Sequence, residues 1–282
     1  MSPRPSPETA LDPTAPETPT TAPASGLLDR LIRRFGRFAH LLAVLMVYLI
    51  IAVAIGLALA PALWMLAAWL PWSLTFYGWA RWPLAGMGFG LAFLIAGFSL
   101  LIVVPVLNWV LPTRVRSYHG AYYSIAAVPW LLHNALFYLV RYTFLPYVTL
   151  TPFGPIFLRA MGMRLGQRVF FNSELISDPQ LITVGDDVVI GGSVTLFAHW
   201  GGGGHLSIEP VVIEAGATIG EKATVMGDVH IGAGAKLLPH SVLLPGARVG
   251  AGETWGGVPA QRIMPDEMAA LGLHGHHKSR HQ

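Results

Sequence analysis

Two long runs of apolar residues dominate the first half of the chain. They span residues 39–70 and 84–111, and neither run contains an acidic or basic side chain of Asp, Glu, Lys or Arg. Arg81 lies between the two runs. A helix needs about 20 apolar residues to cross the hydrocarbon core of a bilayer. We therefore predict two transmembrane helices, the first near residues 39–60 with Pro61 ending or kinking it. Two buried helices of a soluble protein are the alternative.

Basic residues flank this two-helix region, which we place at residues 27–116. The arginines before the first run and after the second are Arg30, Arg33, Arg34, Arg37, Arg114 and Arg116. Between the two runs only Arg81 is basic. Because basic residues accumulate on the cytoplasmic side, we predict that both ends of this region face the cytoplasm. The expected location is a bacterial inner membrane, with membrane lipid as a partner.

The segment 117–164 is apolar and aromatic but is interrupted by polar residues and prolines. The interruptions are Pro129, His133, Arg141 and Pro146. We predict helices that lie in the membrane interface or re-enter it from one side. A third spanning helix near residues 122–140 is the alternative, and it would place the C-terminal domain outside.

A different period begins after residue 164. Apolar residues recur every six positions at Ile213, Ile219, Val225, Ile231, Leu237, Leu243, Val249 and Trp255. An earlier set is Leu165, Phe171, Val184, Ile190 and Leu196, with a slip of one residue after its second member. A period of six fits neither a helix nor a long strand, but it fits short strands that coil into a parallel β-helix. We predict this domain over residues 165–265, with the repeated residues inside it.

The composition agrees with a membrane region joined to a turn-rich domain. Of 282 residues, 53% are hydrophobic and 12% are charged, whereas soluble domains carry about 25% charged residues. The net charge is only +3 and no basic run is present, which argues against a nucleic-acid partner. The absence of cysteine excludes disulfides, thiolate metal sites and a cysteine nucleophile. We predict that the proline-rich segment 1–26 and the histidine-rich tail 266–282 are disordered.

The hexads resemble those of the hexapeptide-repeat acyltransferases. Each begins with an aliphatic residue, often followed by glycine, and the series ends in WGGVPA at residues 255–260. The resemblance implies a left-handed β-helix with three hexads per coil, and a homo-oligomer that is often a trimer. It also implies transfer of an acyl group from a pantetheine thioester to an amine or hydroxyl. The predicted fold is mixed, with an α-helical transmembrane region followed by an all-β left-handed parallel β-helix.

The stretch before the coils carries a second resemblance. The sequence TPFGPIFLRAMG at residues 151–162 is similar to the membrane-embedded C-terminal module of poly-lysine-type peptide synthetases. The implied acyl donor is a coenzyme A thioester or a phosphopantetheinyl carrier protein, and no metal is expected. Those modules carry an acidic pair shortly after their histidine, where this chain has glycine at positions 201–204.

The repeat breaks between Leu196 and Ile213, where a glycine-rich segment intervenes. The resemblance places the general base of the acyltransferases at His199, near the start of this segment. Imidazole suits that role because it titrates close to neutral pH. Trp200 and His205, in the same segment, are the candidate substrate-binding residues, and for His205 a solvated loop residue is the alternative.

A carboxylate is expected to orient such a base. Asp178 is the catalytic candidate because its distance along the sequence from His199 is near one coil plus the slip. Glu174, Glu209 and Glu214 stay open, and a solvated corner residue is the alternative for each carboxylate. From the resemblance, the acyl donor is expected to contact Gly232, Ala233, Gly256, Gly257 and Ala260.

Two other functions compete with the acyltransferase. A membrane-anchored β-helix without catalytic activity would serve as a scaffold. A γ-type carbonic anhydrase shares the β-helix, but it needs three histidines on zinc. Its pattern has histidines where this chain has Glu221 and Met226.

Overall fold

The computed structural model describes residues 36–122, 124–264 and 266–267. The predicted disordered segment 1–26 and the arginines at positions 30, 33 and 34 lie outside the described residues. So does nearly all of the predicted histidine-rich tail.

Two long helices form the first part of the structure. They are α1, Gly36–Ser73, and α2, Arg81–Val110, joined by a 3-10 turn at Gly78–Ala80. Both are long and apolar enough to cross a membrane, by length and composition. Large apolar side chains such as Trp64 and Trp109 are exposed along them, which is unusual for core helices of a soluble protein.

The first helix does not end at Pro61. It continues through Pro61 and Pro71, although a proline removes one helix hydrogen bond. Helices α1 and α2 pack along each other, and Ala54, Ala58 and Ala62 are almost completely buried. Because this buried row of small residues extends across the proline, packing outweighs the lost hydrogen bond.

The segment 117–164 contains a strand as well as helices, which corrects the prediction of helices alone. Its elements are β1, Tyr118–Ala121; a 3-10 turn, Ile125–Ala127; and helices α3, Val128–Arg141, α4, Leu145–Val148, and α5, Phe153–Ala160. The 14 residues of α3 extend about 21 Å, which is shorter than the hydrocarbon core of about 30 Å. Leu136, Phe137 and Val140 of α3 instead join the buried cluster that continues into the β-helix.

Short strands make up the C-terminal part. They are β2, Arg164–Leu165; β3, Phe170–Phe171; β4, Ile182–Val184; β5, Val189–Ile190; β6, Thr195–Leu196; β7, His199–Gly202; β8, His205–Ile208; β9, Val211–Ile213; β10, Thr218–Ile219; β11, Thr224–Val225; β12, Val229–Ile231; β13, Lys236–Leu237; β14, Val242–Leu243; β15, Arg248–Val249; β16, Thr254–Gly257; and β17, Ala260–Arg262.

Most of these strands form a parallel β-helix with three faces. Face 1 contains β2, β4, β9, β12 and β15, face 2 contains β3, β5, β10, β13 and β16, and face 3 contains β6, β11 and β14. The chain visits the faces in rotation. The last strand, β17, pairs antiparallel with β16.

The register of the coils agrees with the sequence period. Ile213, Ile231 and Val249 stack on face 1, and each is separated from the next by three repeats of the hexad. These three side chains are at most 2% exposed. One coil is therefore three hexads, and the repeated apolar residues form the core as predicted.

The slip in the repeat has a structural cause. Phe171 pairs with Ile190 across a coil that is longer by a single residue than the regular coils. The extra residue lies between Phe171 and Val184, in the segment that contains Ile176, which bridges to face 3. At this corner Asp178 adopts the left-handed backbone conformation with φ of +57°, ahead of a 3-10 turn at Pro179–Leu181. The irregularity in the sequence thus marks the corner that carries Asp178.

Candidate active site

The break in the repeat is a β-hairpin built from β7 and β8. Leu196 pairs with Val225, so this coil exceeds the regular three hexads by the length of the hairpin. Gly203 and Gly204 form its turn, and both have positive φ, at +56° and +82°. Glycine adopts these angles without steric cost, and two such residues make the tight turn that suits a hairpin.

The segment that leaves α2 completes this hairpin. Strand β1 pairs antiparallel with β8, giving a three-stranded sheet in the order β1, β8, β7. The segment that follows α2 is therefore joined to the inserted hairpin by backbone hydrogen bonds. This strand was not predicted, because YHGA is too short and too polar to show a strand pattern in the sequence.

His199 and Asp178 meet at the base of the hairpin. The Nδ1 atom of His199 lies 2.5 Å from Oδ2 of Asp178. Asp178 is 0% exposed, whereas the side chain of His199 is 24% exposed. The predicted pair is thus brought together, and Asp178 is a buried residue, not the solvated corner residue of the alternative interpretation.

Asp178 is surrounded by hydrogen-bond donors. Its Oδ1 accepts from Nε1 of Trp130 and from Nδ2 of Asn134, each at 2.7 Å. Its Oδ2 also accepts from the backbone N–H of Ala198 at 3.0 Å. Burial alone would raise the pKa of Asp178. The hydrogen bond and charge of His199, together with the bonds from Asn134 and Trp130, outweigh burial and hold that pKa below its ordinary value of 3.8.

Helix α3 supplies this support along one face. Successive turns of the helix contact the corner segment 176–178 through Trp130, Asn134, Tyr138 and Arg141. Tyr138 hydrogen-bonds the hydroxyl of Ser177 at 2.7 Å, and Arg141 donates to the carbonyl oxygen of Ile176 at 2.9 Å. None of these four residues was predicted as a site residue. Their spacing of three to four positions is the signal that could have indicated a shared face.

The other ring nitrogen of His199 is available for chemistry. Within the described residues, Nε2 has no hydrogen-bond partner. The rings of Trp130 and Phe197 lie 5.2 and 5.5 Å from the His199 ring, centroid to centroid. Gly227 of the next coil leaves room beside it, since a Cβ there would lie 3.0 Å from the backbone nitrogen of His199. With Asp178 as the acceptor, Nδ1 carries the hydrogen and Nε2 carries the lone pair.

Trp200 and His205 do not share this position. Successive strand residues point to opposite sides of a sheet, so Trp200 lies on the side away from His199, 6.1 Å from the ring of His119. On that side Glu209 binds His119 at 2.7 Å and the hydroxyl of Ser117 at 3.0 Å. His205 lies at the exposed hairpin tip, across from Gly202.

The other open carboxylates lie away from His199. Glu214 binds His230 and the backbone N–H of Ala233, at 2.9 Å each. Neither Glu174 nor Glu209 forms a hydrogen bond or an ion pair with His199 in the described part of the chain. Of the four candidates, Asp178 is the one that the structure places against the base.

The predicted donor-binding residues lie on two other corners of the coil. Gly232 and Ala233 follow face 1, whereas Gly256, Gly257 and Ala260 follow face 2, at the antiparallel pair of β16 and β17. His199 follows face 3. Within one chain the structure therefore does not bring these residues to the catalytic pair. Across residues 36–122, 124–264 and 266–267, no three His, Asp or Glu side chains are grouped so that they could hold a metal ion.

Comparison with known proteins gives one curated relative and several solved structures. No family model matches the chain. The chain is 24% identical to the δ-poly-L-ornithine synthetase of Acinetobacter baumannii (strain AB307-0294) over 173 residues, which are 60% of this chain and 13% of the synthetase. The chain therefore spans a small part of the length of that relative.

The solved structures include three acetyltransferases. One is the hexapeptide-repeat acetyltransferase of Vibrio cholerae O1 biovar eltor complexed with acetyl coenzyme A, with 27% identity over 36% of this chain and 60% of that one, at a TM-score of 0.34. The serine acetyltransferase of Neisseria gonorrhoeae has 18% identity over 61% and 56%, at a TM-score of 0.36. A galactoside acetyltransferase in complex with coenzyme A has 15% identity over 57% and 92%, at a TM-score of 0.42. The predicted resemblance to hexapeptide-repeat acyltransferases and to a peptide synthetase is confirmed by these matches.

Proposed function

We propose that this chain is a membrane-anchored acyltransferase that moves an acyl group from a pantetheine thioester to an amine or hydroxyl acceptor. The observation that carries the proposal is the Asp178–His199 pair, with a buried carboxylate and a partly exposed imidazole. The break in a regular coil adds a hairpin at this pair, and insertions in regular solenoids are common places for function.

His199 acts as the general base in this proposal. The acceptor N–H or O–H proton moves to Nε2 as the acceptor attacks the thioester carbonyl. Asp178 keeps Nδ1 protonated and stabilises the imidazolium that forms. When the carbon–sulfur bond breaks, the imidazolium gives its proton to the leaving thiolate. Such proton transfer contributes about 10²–10⁴-fold to the rate, and backbone amides of the hairpin are proposed to stabilise the oxyanion.

The donor site is proposed to be shared between copies of the chain. Gly232, Ala233 and the segment 256–260 lie on corners of the coil other than that of His199. A homo-oligomer with left-handed coils side by side would bring these corners of one copy towards His199 of another. A carrier protein, which resembles coenzyme A in its pantetheine arm, is proposed as the alternative donor.

Helices α1 and α2 are proposed to span a bacterial inner membrane, with the β-helix on the cytoplasmic side. Their length and apolar composition support a spanning role, and the arginines at the ends of the region support this orientation. This location favours an acceptor that is lipid-linked or close to the membrane.

Stabilisation by candidate donors tests the proposal. Detergent-purified protein is heated with coenzyme A, acetyl coenzyme A or a phosphopantetheinylated carrier protein. A ligand at 100 times its Kd adds about 2.7 kcal/mol to the free energy of unfolding, which a thermal scan detects. A shift with coenzyme A compounds supports the transferase, and a shift with the carrier alone indicates the synthetase-like donor. No shift with any donor would instead favour the non-catalytic scaffold.

A further inference from the structure

A cavity of about 690 Å³ lies where α2 meets the β-helix. It is bounded by the end of α2, the extended segment 113–117, the end of α5 and strand β2, and it is separate from the hairpin of His199. Its volume is in the range of small-molecule binding sites. The polar side chains at its edge include Arg114, Arg116 and Arg164, and we refer to it as the arginine cavity.

The first two arginines lie on the exposed side of an extended segment. Thr113 and Val115 are buried, whereas Arg114 and Arg116 alternate with them and are more exposed. This alternation is that of an extended chain with one side against the protein. Arg164 comes from a later segment, the first strand of the β-helix, and is also exposed.

Gln180 fixes the arginine segment to the β-helix. Its Oε1 accepts from the backbone N–H of Val115 at 2.8 Å, and its Nε2 donates to the carbonyl oxygen of Thr113 at 3.1 Å. Gly162 permits this close packing, because a Cβ at that position would lie 2.7 Å from Cγ of Gln180. Two distant parts of the chain are thus held so that their arginines line one cavity.

The charges of these three arginines are not compensated within the described part of the chain. Arg114, Arg116 and Arg164 have no hydrogen-bond or ion-pair partner there. The other arginines of the coils, by contrast, are paired: Arg168 with Asp187, Arg248 with Asp228 and Arg262 with Glu253. The preference for basic residues at cytoplasmic helix ends explains charge at positions 114 and 116, but it does not explain Arg164, which lines the same cavity from the β-helix.

The surroundings indicate the kind of ligand. Trp109 and Val110, at the end of α2 beside the cavity, are 88% and 76% exposed. If α2 spans the membrane, as proposed above, this end lies at the headgroup level. Guanidinium groups bind phosphate oxygens through paired hydrogen bonds. From the three unpaired arginines and the position of the cavity at the headgroup level, we infer that the arginine cavity binds the negatively charged phosphate headgroup of a membrane lipid.

Lipid binding to a triple variant tests this inference. Delipidated protein in neutral detergent is titrated with short-chain phosphatidylglycerol, and binding is followed by thermal unfolding and by native mass spectrometry. The test variant is R114Q/R116Q/R164Q, and the matched control is R168Q/R248Q/R262Q, which removes the same number of charges from paired positions. We expect saturable binding to wild type and control, and binding weakened at least about tenfold in the test variant.

Other ligands distinguish the remaining outcomes. Equal binding of phosphatidylglycerol to the test variant and to the control would overturn the inference. It would also be overturned if wild-type protein bound phosphatidylcholine or inorganic phosphate as well as it binds phosphatidylglycerol. Coenzyme A also carries phosphates, so it is titrated in parallel. If the test variant loses coenzyme A binding, the cavity belongs to the donor site and the inference is wrong. If no donor binds but the lipid response persists, the proposed function fails while the lipid site stands.

Discussion

Among the individual residues, Asp178 is the one whose surroundings matter most for the proposed catalysis. The carboxylate is fully buried and accepts hydrogen bonds from His199, Trp130, Asn134 and the backbone of Ala198. A buried carboxylate with several donors stays ionised and keeps its partner imidazole in one orientation. The offset along the sequence indicated Asp178, but its burial and its donors could not be predicted, because they depend on a helix that lies far before it in the chain.

We expect the Asp178→Asn variant to lose most of the rate while it still binds the acyl donor. The amide keeps the size of the carboxylate but removes the charge that stabilises the imidazolium. The reduction in kcat should approach the roughly 10²–10⁴-fold that general-base catalysis contributes. Steady-state kinetics measures it, and KM for the donor should change little. A variant with wild-type kcat would show that Asp178 does not support His199.

The same variant should alter stability in acid. Because the pKa of Asp178 in the folded state lies below its ordinary 3.8, the carboxylate contributes stability at neutral pH. That contribution is lost as the pH falls from about 3.8 through the lower folded value. Wild-type protein should therefore lose stability in this window more steeply than Asp178→Asn, as denaturant unfolding at a series of pH values would record.

The burial of His133 leads to a separate prediction about how the free energy of unfolding depends on pH. It is fully buried, and its Nδ1 hydrogen-bonds Oδ1 of Asn108 at 2.7 Å. Burial lowers its pKa from 6.5 to about 4, against a smaller raising effect of the Asp178 charge. Between these two values the unfolded chain binds a proton here and the folded chain does not, so stability falls as the pH falls. The loss is about 3 kcal/mol across the window.

The His133→Gln variant checks this effect. Glutamine can still donate to Asn108 but does not titrate. The free energy of unfolding of the variant should be nearly independent of pH in this range, apart from the change that other groups cause in both proteins. An unchanged pH dependence would show that His133 is not the group responsible.

At the scale of elements, α3 connects the apolar helices with the active site. Its 14 residues are too few to span a membrane, and one face contacts the corner that carries Asp178. Periodicity indicated a helix in this segment but not its partner. In the sequence, the side chains of α3 that contact this corner look like ordinary residues of a membrane interface.

We predict that Asn134→Leu changes the pH profile of the reaction and not only its rate. Removing a donor from Oδ1 leaves the Asp178 carboxylate more basic. It then stabilises the protonated form of His199 more strongly, so the acid limb of the kcat profile, where the base becomes protonated, should move to higher pH. Tyr142→Phe, at the end of the same helix but largely exposed, is the control. A lower rate with an unshifted profile would indicate a purely structural role for Asn134.

The hairpin turn offers a second prediction at this scale. Gly204 has φ of +82° and Gly202 does not have a positive φ, while a Cβ at either position would meet no atom within 4 Å. Gly204→Ala should therefore cost about 1–2 kcal/mol through backbone strain alone, and Gly202→Ala should cost less. Thermal unfolding compares the two, and equal losses would contradict the assigned turn.

At the scale of the molecule, the structure joins two units that the sequence describes separately. The hexads predicted the β-helix and its core, because each coil repeats the same local pattern, and the family resemblance implied the coil length of three hexads. The apolar runs predicted α1 and α2. The contacts between the two units could not be predicted from the sequence. They are made through β1, α3 and Gln180, and such contacts depend on three-dimensional packing and leave no periodic signal.

Acyl transfer by His199→Asn, compared with transfer by a matched variant, His230→Asn, decides whether His199 is the base. His230 is also on the β-helix and is also paired with a carboxylate, Glu214, at 2.9 Å. Protein in detergent is given acetyl coenzyme A labelled in its acetyl group, with a membrane lipid extract and a set of amines and alcohols as acceptors. We expect labelled product from wild type and His230→Asn, and a loss of about 10²–10⁴-fold in His199→Asn with donor binding intact. Equal transfer by His199→Asn and wild type would contradict the account.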